Sequence, residues 1–93
     1  MPNFLASYDY HHVRDYTRVY ELMDQLGGVR LLQSSWLVAV DVQAKQLRDA
    51  LRHCADGDDS FAVVELVPGS DWATFAVPTE AVDWLSYNVT PAE

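Results

Sequence analysis

The sequence predicts an α+β fold: one antiparallel sheet built in the order β-α-β-β-α-β, followed by an extra strand and a short terminal helix. Three observations predict it. Short apolar segments of two-residue period alternate with segments whose apolar residues recur every three to four positions. Glycine, proline and aspartate clusters separate those segments. Two strand-like segments follow each other directly in the middle, between the two longer helical ones, which suits a split βαβ unit rather than a doubly wound parallel sheet.

Residues 4–9, FLASYD, read as the first strand, with Phe4, Ala6 and Tyr8 on one face and Leu5, Ser7 and Asp9 on the other. From Asp15 the period changes. Tyr16, Val19, Tyr20, Met23 and Leu26 share a helical face, while Arg14, Arg18, Glu21 and Gln25 point elsewhere. Gly27 and Gly28 end that helix, because glycine adopts the left-handed conformation past a helix C-terminus without steric cost. Residues 29–41 are too long for one typical strand and carry Gln33-Ser34-Ser35 in their middle, so they read as two strands joined by a tight turn. Trp36, Val38 and Val40 share a face of the second. Asp41 suits an N-cap, and Ala44, Leu47, Leu51 and Cys54 form the apolar stripe of a second helix.

Asp56-Gly57-Asp58-Asp59 reads as a turn. Residues 60–67, SFAVVELV, are apolar enough for a strand buried on both faces. Residues 68–71 turn the chain, residues 72–77 (WATFAV) read as a fifth strand, and residues 79–87 as a short helix carrying Val82, Trp84 and Leu85. The first six elements match the ferredoxin-like arrangement, with both helices on one face of the sheet. The domain is therefore placed at residues 1–78, with a helix and tail over 79–93. Residues of the Trp36 type or of the Leu37 type on the opposite face are left uncovered, so a homodimer is expected to bury them.

Composition narrows the function. Fourteen acidic against six basic residues give a net charge of −8, which repels a phosphate backbone unless local basic clusters or metal ions intervene. The first ten residues lack the basic flank and apolar run of a signal peptide, and no stretch is long enough to span a membrane. With the single Cys54 unable to form an internal disulfide, a cytoplasmic setting is expected.

Several candidate residues stand out. Arg14 and Arg18 lie one helical turn apart and can form a small phosphate-binding face, or equally pair with Asp15, Glu21 or another acid. Adjacent His11 and His12 point apart on an ordered backbone, which suits a solvated loop better than chelation; one of them can still act as a general base. Cys54 reads as inert core, and Trp36 and Trp72 as core or interface. Asn88-Val89-Thr90 matches a glycosylation pattern that a chain without a secretion signal does not use.

A first strand ending in SYD, a charged helix ending in glycine and a QSSW hairpin leading into a strand together resemble the small CRISPR-associated adaptation protein, second of the Cas series. A second helix in which Leu and Arg alternate, and a Val-rich fourth strand, extend the likeness over residues 3–77. DYTRVYELMDQLG and QSSWLV are most similar to stand-alone members of that family. The resemblance implies a ferredoxin-like homodimer whose sheets face each other and whose fifth strand, residues 72–77, completes the partner's sheet. It also implies either a metal-dependent endonuclease for RNA or DNA or a non-catalytic DNA scaffold. Asp9 matches the family's metal-binding, catalytic aspartate, with magnesium as the expected ion. One lysine in the whole chain departs from the basic surfaces of the scaffold members. The competing reading is a non-enzymatic, acidic dimeric interaction or regulatory protein, phage-associated or imitating nucleic acid, that engages a basic partner.

Overall fold

A computed structural model describes residues 1–9, 11, 15–55, 57 and 59–90. The elements are β1 (Asn3–Tyr8), α1 (Thr17–Gln25), β2 (Val29–Leu32), β3 (Ser35–Ala39), α2 (Ala44–His53), β4 (Phe61–Glu65) and α3 (Thr79–Asn88). Among the described residues four strands form one antiparallel sheet in the order β2-β3-β1-β4, and with three helices the fold is α+β. No helix of the described residues is long and apolar enough to cross a membrane.

β1 is one of the two interior strands, and its alternation feeds two cores. Its even residues Phe4, Ala6 and Tyr8 join Trp36 and Val38 of β3 on the face that α1 and α2 cover. Val19 and Met23 of α1 and Leu47 and Leu51 of α2 are buried there, with Tyr16 just ahead of α1. α1 ends where expected. Gly27 takes φ +75°, a conformation that suits glycine, and a Cβ on Gly28 would crowd the Met23 and Leu37 carbonyl oxygens at 3.1 and 3.3 Å.

The opposite face holds Leu37, 1% exposed, under Ala81, Leu85 and Val89 of the C-terminal segment, with Leu5, Val29, Leu31, Leu66, Trp72 and Trp84 packed around them. α3 thus covers part of the face that the sequence leaves bare. It is tied down at its end: Asn3 Nδ2 donates to the Asn88 carbonyl at 3.2 Å, and Gly69 N–H donates to the Val89 carbonyl at 2.6 Å. Thr90 Oγ1 donates to the Ser70 carbonyl at 2.6 Å. The Asn-Val-Thr triplet is a clasp between helix end and sheet.

Other expectations change. Residues 72–77 form no strand in this chain; Ala76 has φ 59°, which breaks an extended run. β4 is shorter than residues 60–67 and lies at a sheet edge, so Ala62, Val64 and Glu65 are exposed instead of buried on both faces. α2 starts later than Asp41: Val42 N–H bonds back to the Val40 carbonyl, and Gln46 Oε1 accepts from the N–H of Gln43, the capping residue. Tyr10, His12, Val13, Arg14, Asp56 and Asp58 lie outside the described residues, so the Arg14 half of the proposed basic face and most of the Asp-Gly-Asp-Asp turn do too.

Candidate functional site

Asp9 follows the last residue of β1, and its main chain is held from both sides. Its N–H donates to the Ser60 carbonyl at 3.3 Å, and its carbonyl accepts from the Tyr16 hydroxyl at 3.0 Å. The residue itself is exposed, at the rim of a shallow concavity of about 180 Å³ lined by Ser7, Tyr8, Asp9, Ser60, Phe61 and Ala62. A fixed backbone under a solvent-facing carboxylate is a suitable mount for a hard cation.

Tyr16 organises this end of the sheet. Its ring packs on Tyr8 at 5.1 Å between centroids, and Tyr8 in turn packs on Phe61 at 5.7 Å. The Tyr16 hydroxyl accepts the His11 N–H at 3.1 Å and lies 3.4 Å from Asp59 Oδ1. The Asp59 side chain is 1% exposed and sits 3.7 Å from His11 Nε2, whose ring is 42% exposed; the two form an ion pair when His11 is protonated. His11 is therefore not a purely solvated loop residue. Asp59 and Tyr16 were hidden from sequence reasoning, the one inside an acidic turn and the other on an apolar stripe. The only signal was a tyrosine at a helix start, where its hydroxyl can reach the preceding loop.

The cluster stops short of a metal cage. Among the described residues no group of three or more His, Cys, Asp or Glu side chains comes together to hold an ion. Among the described residues Asp9 is the one carboxylate that lines this concavity, and oxygens from a second copy or from substrate would add to it in a magnesium site.

The remaining candidates separate. Arg18 is exposed on α1 and forms no salt bridge among the described residues. Arg30 lies over the rings of Tyr20 and Trp36, at 4.3 and 4.9 Å from their centroids, and is spent on packing. Arg48 binds the neighbouring Asp49 through Nε at 3.1 Å and through its terminal nitrogen at 2.8 Å, which holds the Asp49 carboxyl below its usual range. That pair, with Arg52, His53 and Gly57, borders an open hollow of about 420 Å³ on α2. Trp36 is core, Trp72 packs under α3, and Cys54 packs partly buried against the first core. Among the described residues the buried Tyr8 hydroxyl and the Trp36 Nε1 find no hydrogen-bond partner, and burial pushes the Tyr8 phenol up.

No family model matches the chain, and neither a curated protein nor a solved structure does.

Proposed function

We propose that two copies of this chain form a metal-dependent endonuclease in which Asp9 of each copy holds one magnesium ion against a phosphodiester of RNA or DNA. The observation that carries this reading is the position of Asp9. It stands exposed at the end of an interior strand, beside a strip of the second sheet face formed by Ser7 of β1 and the exposed Ala62 and Val64 of β4. α3 leaves that strip open, and a second copy seated on it would bring the two carboxylates together. The element order and the strand order β2-β3-β1-β4 support a ferredoxin-like assignment, the fold that the resemblance implies.

Bound there, magnesium supplies an activated water and neutralises charge that develops on the phosphate. The chain's own groups do the rest. Asp9 would fix the ion, the His11–Asp59 pair neighbours the Asp9 backbone through the shared Tyr16 hydroxyl, and Arg18, with no salt bridge among the described residues, would offer its guanidinium to the backbone of the substrate. Cleavage of RNA and DNA with and without magnesium tests the proposal. Asp9→Ala is expected to lose about 100-fold or more of any magnesium-dependent activity. Full activity in that variant would assign the cleavage to another site. A single-chain mass by sedimentation at micromolar concentration would remove the shared site altogether.

A second reading, a non-enzymatic acidic binder, is favoured by the distribution of charge. Six acidic and six basic residues cancel over residues 1–52, while residues 53–93 hold eight Asp or Glu and no Lys or Arg. The net charge of −8 thus belongs to residues 53–93, half of it at Asp56, Asp58, Asp59 and Glu93 and half at Glu65, Asp71, Glu80 and Asp83 of β4, the covering loop and α3. A basic partner captured there is expected to release as salt rises.

A further inference from the structure

We infer that the groove between the end of β2 and residues 73–77 is a docking site for an extended basic peptide segment that presents an apolar side chain between lysines or arginines. The groove encloses about 220 Å³ and is lined by Leu31, Leu32, Ala73, Thr74, Phe75 and Val77. Small-molecule pockets usually start near 300 Å³ and are deeper, so this one has room for one or two aliphatic side chains. Two of its walls are costly to leave in water: Leu32 is 55% exposed and Phe75 is 93% exposed. Phe75 precedes Ala76, whose φ of 59° lies in the left-handed region that an alanine rarely adopts. The loop tip is therefore held in a shape that its own sequence does not prefer, and that shape projects the phenyl ring outward.

Charge selects the occupant. Residues 71–83, which include the 73–77 wall, carry Asp71, Glu80 and Asp83 and no Lys or Arg, and the one cation of β2, Arg30, is turned onto the Tyr20 and Trp36 rings. A cationic segment is drawn to that field, whereas a second copy brings the same excess of negative charge to it. β2 pairs only with β3 and is an edge strand, so its outer side is placed to meet an extended chain rather than a helix. This inference rests on the second reading above and gives it a location.

The test uses the whole chain and three synthetic decapeptides: alternating Lys and Leu, the same with Ser for Leu, and the same with Glu for Lys. Fluorescence anisotropy should show the Lys-Leu peptide binding at least about tenfold more tightly than either control, and losing about tenfold between roughly 0.05 M and 0.5 M salt. Amide shifts should concentrate on residues 29–32 and 73–77. Phe75→Ser and Leu32→Ser should each weaken binding about tenfold, while Tyr87→Ser, another exposed aromatic, leaves it unchanged. All three side chains are exposed, so circular dichroism melts should match the parent chain. Equal binding by both groove variants would overturn the groove and leave the acidic-binder reading standing. No binding of the Lys-Leu peptide would overturn both. Shifts in the groove on raising protein concentration alone would hand it to a second copy and overturn the peptide proposal.

Discussion

The two faces of the sheet differ in how they are closed. Beneath α1 and α2, ten buried residues from β1, β3, both helices and the residue before α1 form one continuous core, capped by the aromatic set of Tyr8, Tyr16 and Trp36. Beneath α3, four residues are buried, and the cover is a single helix plus a loop, pinned by hydrogen bonds from Asn3, Gly69 and Thr90. The first face is closed by packing and the second by packing plus polar ties. The comparison teaches where each kind of change to the chain should register. Volume matters most under α1 and α2, and hydrogen bonds matter most at the α3 clasp.

The largest effect should come from Leu51→Ala. Leu51 is 1% exposed inside the larger core, and its cavity has rigid walls, so a loss of about 3–4 kcal/mol in urea unfolding is expected. Leu85→Ala, in the smaller core at 4% exposure, should cost about 2 kcal/mol, because α3 can settle into the space. Equal costs would erase the distinction between the faces. Next in size is Asn3→Ala. Asn3 is 5% exposed and links β1 to the end of α3, so about 1–2 kcal/mol should be lost, with amide exchange rising first in residues 85–90.

The smallest change should be a gain. Tyr8→Phe removes a buried hydroxyl that has no partner among the described residues and should stabilise the chain by about 1 kcal/mol. It should also alter the alkaline limb. Burial holds the Tyr8 phenol above its ordinary value of 10.0, so the unfolded chain gives up that proton first. The contribution of Tyr8 is intact below pH 10.0 and is lost as pH climbs through the raised folded value. Thermal melts from neutrality to alkaline pH should therefore fall less steeply in the phenylalanine variant.

Much of the fold was legible because periodicity reports directly on which residues must leave water. Phe4, Ala6 and Tyr8, the stripe from Tyr16 to Met23, and Leu47 with Leu51 all lie in the core that their spacing indicates. The hairpin turn at Gln33-Ser34 was legible for the same reason, since its polar residues interrupt two apolar runs. What escaped was set by long-range contact. SFAVVELV has the composition of a central strand, yet its neighbours place it at an edge. WATFAV has the pattern of a strand, yet Ala76 turns it and Trp72 is drawn under α3. Short amphipathic patterns do not state which surface they will meet, so the role of Thr79–Asn88 as a lid on Leu37 could not be read from its own residues. At the candidate site, Asp9 was visible because a strand end exposes it. Asp59 was not, because its contact with the Tyr16 hydroxyl spans 43 positions of sequence.

The double duty of β1 has a consequence for how the sequence can drift. Because neighbouring side chains there serve different cores, inserting or deleting one residue between Phe4 and Tyr8 would reverse the facing of every β1 residue on one side of the change and so disturb both compartments at once. Length changes should be tolerated least in this first strand and most at the Gln33-Ser34 hairpin tip, so a library of single-residue indels would rank those two places at opposite ends.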